Sequence, residues 1–193
     1  METGIFLLVI SFILSVTTWF DDVFMRLGMK KSYVLMAIAA ALALAGLPFR
    51  PIAELEINPA AVLLMLSVML CSFNKNEYSF ILSCIAILTV CALHFGLMNL
   101  TPSLKMPLIS AIISAILGAM LIKRPFMSAM ICVCAPFIVY SLFVITELIS
   151  YVPGRTPTET EVFNSQIISL TASLLGSYIR MSLKSAKRSS EPL

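Results

Sequence analysis

The chain has 193 residues, 60% of them hydrophobic and 12% charged, against roughly 45–50% and about 25% in ordinary soluble domains. A soluble fold of this length has too little interior to hide so much apolar surface, so the composition points to lipid. The net charge of +3 comes without a long basic run carrying interleaved aromatics, which argues against a nucleic-acid partner.

Met1-Glu2-Thr3 lacks a basic stretch, and no small-x-small cleavage pattern follows, so the first apolar run (residues 4–20) is read as a retained helix, not a removed signal peptide. It closes on Trp19 and Phe20, where an aromatic belt would sit. A polar connector follows, from Asp21-Asp22 to Lys30-Lys31. Its middle continues as helix until Gly28 ends it. Asp21-Asp22 with Arg26 has the make-up of an ion or partner site on the inner side, but reads first as a solvated turn. The second run, 33–49, is rich in alanine and offers a small-residue face to a neighbouring helix.

Residues 50–59 read as a loop. The third run, 60–73, is short for a hydrocarbon core of about 30 Å, so it either begins within Ile57-Asn58-Pro59, is met by a thinner bilayer, or is re-entrant. After a polar turn at 74–77 comes the full-length fourth run, 78–100, with the sole histidine, His94. The fifth, 106–122, carries Ser110, Ser114 and Gly118 four apart, which places small residues on one face as a helix-packing seam. Lys123-Arg124 turns the chain into the sixth run, 125–150. It is interrupted by Pro136, an expected kink, and uncharged until Glu147. The last segment, 162–179, is uncharged but rich in Ser, Thr, Asn and Gln.

Charge placement decides whether that last segment crosses. With seven crossings and the N-terminus outside, ten of the thirteen positives fall inside: Arg26, Lys30, Lys31, Lys75, Lys123, Arg124, Arg180, Lys184, Lys187 and Arg188. Only Arg50, Lys105 and Arg155 stay outside. With six crossings the split becomes six against seven. The positive-inside rule favours seven, with the C-terminus inside.

This threading puts His94, Glu147, Asn164 and Gln166 near the outer ends of their runs, where they could line an outward-facing polar vestibule for a proton, cation or small solute. The plainer alternative is that Glu147 meets headgroups and water and that His94 is a bonded structural group. The five cysteines all lie in apolar segments. Cys132-x-Cys134 has the form of a soft-metal pair, but no second Cys or His pair stands at zinc-like spacing, so they read as packing residues. HExxH, GxSxG, GxxxxGK[ST] and GxGxxG are all missing, so no catalytic residue, metal or cofactor is assigned.

The landmarks Arg26-Leu27-Gly28, Ile57-Asn58-Pro59, Met106-Pro107, Ile145-Thr146-Glu147-Leu148-Ile149 and Val162-Phe163-Asn164 stand in an order that resembles an uncharacterised bacterial and archaeal family of multipass membrane proteins, a domain of unknown function. Members of that family carry Asp where Glu147 stands and Phe-Asp-Gly where Phe163-Asn164-Ser165 stands. The resemblance implies an architecture and no activity.

The expectation is an all-α, polytopic transmembrane bundle of about seven crossings, N-terminus out and C-terminus in. Residues 1–183 form one domain, followed by a short basic cytoplasmic tail at 184–193. It would sit in the cytoplasmic membrane of a bacterium, with the lipid bilayer as its first partner. Two functions are compatible with it. The first is a small-solute or ion transporter or channel-like protein working through the vestibule. The second is a non-catalytic structural or assembly subunit, docking on a second copy or a membrane-protein partner through its helix-packing faces.

Overall fold

The computed structural model describes residues 3–47, 49–52, 55–75, 79–100, 106–150 and 158–189. Among these residues the chain forms helices α1 (Thr3–Val16), α2 (Asp21–Leu27), α3 (Lys31–Leu44), α4 (Pro59–Asn74), α5 (Phe80–Leu100), α6 (Met106–Leu121), α7 (Pro125–Ser150) and α8 (Glu159–Ser189). The expected all-α class holds but for one small hairpin. It pairs β1 (Phe49–Ile52) antiparallel with β2 (Leu55–Ile57), within the segment read as a loop.

The helix boundaries have local causes. Thr18 adopts a left-handed φ of 68°, and across this turn α2 leaves α1 at 91°. Asp21 and Asp22 fall in the first turn of α2, where carboxylates complement the helix dipole. Gly28, at φ 65°, ends α2: its N–H donates to the Met25 carbonyl at 3.0 Å, and the Met29 N–H to that of Phe24 at 2.8 Å. This is a Schellman closure, in which glycine takes the left-handed position without a Cβ clash. Asn58 starts α4, accepting from the Ala60 N–H at 3.0 Å, with Pro59 in the first turn. Its Nδ2 donates to the Ala45 carbonyl at 3.1 Å, so one side chain caps α4 and holds the end of α3.

Two contact sets mark the two ends of the bundle. At one, Leu8, Ala45, Ala60 and Phe163 share a core cluster, and the Gly4 N–H donates to Asn164 Oδ1 at 2.5 Å. At the other, Tyr178 and Ser185 of α8 meet Asp22 and Arg26 of α2. Arg180 there holds the C-terminal end of α6. Asn164 and Arg180 lie on one helix, 16 residues and so about 24 Å apart.

The interior is unusual in what it contains. On α6 the buried positions are Ser110, Ala111, Ser114, Ala115, Gly118 and Ala119, while Ile109, Ile112, Ile113, Ile116, Met120 and Leu121 are exposed. Met120 and Leu121 reach 70% and 71% exposure. On α8 the buried face includes Ser165, Ser169, Ser173 and Ser177, again four apart. On these faces small and hydroxyl side chains pack inside while the large aliphatic residues of α6 face out; elsewhere the core is built of large apolar residues, such as Met127 and Ile131 of α7 and Leu64 of α4.

Among the described residues only α7, over Pro125–Ile145, is both long and apolar enough to cross a bilayer. α1 and α2 would add a second if they were one span broken at the 91° bend. The segments Lys31–Leu44, Pro59–Asn74, Ile81–Leu97 and Ile109–Leu121 are apolar but shorter. The about seven crossings expected from apolar runs are therefore not matched by helix length and composition. The physical reason lies at the run ends: the turn at 17–20 and the turn at Ala45-Gly46 take residues from the first two runs, and the third run is itself short. The 16 residues of α4 rise only about 24 Å. α8 itself continues to Ser189, so residues 184–189 of the expected tail are helical.

Candidate functional site

A cavity between α4, α7 and α8 is lined by Asn58, Met65, Phe137, Tyr140, Phe163 and Gln166, among others. Its volume is about 10 Å³, close to the room that one water molecule requires. Among the described lining residues the polar side chains are neutral: two amides and a phenol. Gln166 is 2% exposed and donates through Nε2 to the Val133 carbonyl at 3.2 Å, and to Met65 Sδ at 3.3 Å. Val133 is next to Cys132, whose carbonyl would have accepted the bond that Pro136, having no N–H, does not donate. An amide from a neighbouring helix at this place is one way to support proline inside an apolar helix. α7 is continuous through Pro136 from Pro125 to Ser150.

The other residues of the expected vestibule are placed elsewhere. His94 is buried in α5 and its Nδ1 lies 3.0 Å from Ser110 Oγ on α6. Asn164 turns to the start of α1 and accepts from Gly4. Gln166, two residues on, reaches α7 and α4. The cavity lining includes Gln166 and neither His94 nor Asn164. Glu147 belongs to the last turns of α7, and its side chain is outside the described residues. The described members of the set therefore hydrogen-bond to different helices, and of them Gln166 alone lines this cavity. A buried polar group in an apolar bundle requires a hydrogen-bond partner, and each of these takes the nearest helix.

Ser110, Ser114 and Gly118 face the inside of the same chain. Ser114 donates to the Ser110 carbonyl of its own helix. A Cβ on Gly118 would lie 2.7 Å from Cys132 Sγ of α7. From α8, Ser169 Oγ donates to the Ala111 carbonyl at 3.4 Å, while Ser173 and Ser128 exchange a hydrogen bond at 2.9 Å. The seam thus joins α6, α7 and α8. The hydroxyls of Ser165 and Ser177 are buried with no hydrogen-bond partner among the described residues.

Two features escaped the sequence reading. Arg180 donates to the carbonyls of Ala119, Ile122 (2.7 Å) and Lys123 (2.8 Å), capping α6 from another helix, where a cation also suits the helix dipole. The serine row of α8 was legible at the same four-residue spacing that disclosed the α6 seam. Asp22 forms a third polar cluster, accepting from Tyr178 Oη at 2.6 Å and from Arg26 Nε at 3.0 Å. The Tyr178 hydroxyl, then Arg26, hold its carboxyl below the usual carboxylate value. Among the described residues no cluster of His, Cys, Asp and Glu has the make-up of a metal site, and the cysteines are free thiols. No family model, curated protein or solved structure matches the chain.

Proposed function

We propose that the chain is a multi-pass membrane protein of the cell membrane, threaded seven times with its N-terminus outside, that passes or binds a small neutral solute. The observation that carries the membrane reading is the packing of α6 against the serine row of α8: serine, alanine and glycine of α6 lie inside, and its isoleucine, leucine and methionine lie outside. The two contact sets at the bundle ends support the threading. Asp22, Arg26, Ile122, Lys123, Tyr178 and Arg180 meet at one end, and Gly4, Ala45 and Asn164 belong to the other. Seven helices alternating between these ends would bring the basic connectors to one side. The uncharged lining of the cavity beside Pro136 favours a neutral solute over an ion.

Threading is tested with single cysteines at Thr158 and Lys184, both exposed, on a cysteine-free background in intact cells. An impermeant thiol reagent should label position 158 and leave 184 protected. Labelling of 184 rejects the threading. A cavity with room for about one water molecule makes water the neutral probe: proteoliposomes are placed in a sucrose gradient and their shrinkage followed by light scattering. Gln166→Leu should abolish the permeability while inserting normally. Unchanged permeability in that variant excludes the cavity as the path.

A second reading, an assembly subunit, is favoured by α3. Its Ala39, Ala40, Ala43 and the following Gly46 are exposed, so a small-residue face is open to another helix. The α6 seam does not serve this reading, because α7 and α8 already cover it. Ala43→Leu should dissociate such a complex and leave the water permeability intact.

A further inference from the structure

The stretch between α1 and α3 has the chemistry of a lipid-headgroup ligand. α2 is seven residues long and turned 91° from α1, so if α1 crosses the bilayer, α2 lies along its surface. It buries Phe24 and Leu27 against the bundle and exposes Met25 at 74%. Trp19 is 79% exposed and Tyr33 is 61% exposed. Tryptophan and tyrosine exposed beside a basic segment are the side chains that settle at the headgroup level.

The charges around α2 are sorted. Both of its carboxylates have cations: Asp21 lies 2.9 Å from Lys31 Nζ, and Asp22 3.0 Å from Arg26 Nε. Lys30 and Lys75 have no carboxylate partner among the described residues. Lys30 Nζ is 5.6 Å from the centre of the Tyr33 ring. Lys75, from the far end of α4, comes to the end of α2, its Nζ so near Gly28 that a Cβ there would be 2.6 Å away. Two exposed ammonium groups from separate elements therefore flank the end of an interfacial helix whose own acids are neutralised. Lys123, Arg124 and Lys184 are also exposed at this end of the bundle.

We propose that α2, with Trp19 on one flank and Lys30 and Lys75 on the other, is a docking element for anionic phospholipid headgroups. Trp19 and Met25 enter the upper acyl region, and the two lysines hold lipid phosphates. This rests on the membrane reading above, and the attraction expected of each exposed basic residue is about fivefold in lipid preference.

Trp19 is the only tryptophan, so its fluorescence reports this segment alone. The full-length protein is reconstituted into vesicles in which either phosphatidylglycerol or phosphatidylcholine carries brominated chains, at equal mole fraction. The expected ratio of quenching by the anionic over the zwitterionic lipid is at least about 2. It should fall towards unity in the Lys30→Gln/Lys75→Gln variant and, for the native chain, in high salt. The salt arm keeps the test decisive if the variant does not fold. A ratio of unity for the native protein, or Trp19 fully open to aqueous acrylamide, overturns the proposal. If the protein fails to co-float with vesicles of either lipid, it is the membrane reading that has failed.

Discussion

Gly118→Ala is the sharpest test of the α6–α7 seam. A methyl group there would sit 2.7 Å from Cys132 Sγ and 3.9 Å from Ser128 Oγ. Ordinary contact is about 3.5–4.0 Å, so about 1 Å must be found. Cys132 has a single side-chain torsion, is 1% exposed, and its sulfur already lies 4.0 Å from the Ser114 and Ala115 carbonyls. The helix must therefore move. Overpacking of this kind costs about 1–3 kcal/mol, against about 1 kcal/mol gained when alanine replaces glycine inside a helix. The net expectation is a loss of about 0–2 kcal/mol. Cys132→Ala alone should cost about 1 kcal/mol. In the double variant the new methyl occupies the space that the sulfur leaves, so the two changes should couple favourably by about 1–2 kcal/mol. Unfolding in mixed detergent micelles, followed by circular dichroism, measures all four corners of the cycle. If the two effects simply add, with no coupling between positions 118 and 132, the close approach of these helices is refuted.

Arg180→Met should destabilise the bundle by about 2 kcal/mol and speed amide exchange in the 119–124 segment, because the carbonyls at the end of α6 lose a charged donor. Thr18→Gly should stabilise by about 1 kcal/mol, read as a raised melting temperature, since a β-branched residue gives up a left-handed conformation. At Asp22 the folded carboxyl titrates below its unfolded value. Its contribution to holding α2 on α8 is therefore present above the ordinary carboxylate pKa and is lost as pH falls through the folded one. Amide exchange in α2 should rise on that acid limb, and Asp22→Asn should show the higher exchange already at neutral pH.

Much of the helical plan was legible in one dimension because its cause is local. Runs of apolar residues bounded by Gly28, Pro59, Lys123-Arg124 and Pro125 mark the helices; the sixth run and α7 coincide, both spanning 125–150. The four-residue spacing of Ser110, Ser114 and Gly118 likewise fixes a face, since such residues share one side of any helix. The hairpin at 49–57 was not legible: it arises within a loop-like stretch rich in proline and charge, from backbone pairing that no side-chain pattern announces.

The partners of the polar residues depended on the third dimension. Sequence and threading give a depth along the bundle axis, and depth alone put His94, Asn164 and Gln166 at one level. Rotation about each helix axis decided the rest: Asn164 and Gln166, two residues apart, point about 200° apart, one to Gly4 and the other to Val133. The same holds for Arg180, whose role at the end of α6 depends on a helix 57 residues earlier in the chain returning to meet it. Composition thus determined the solvent this chain is suited to, while helix packing decided which of its few polar groups face one another.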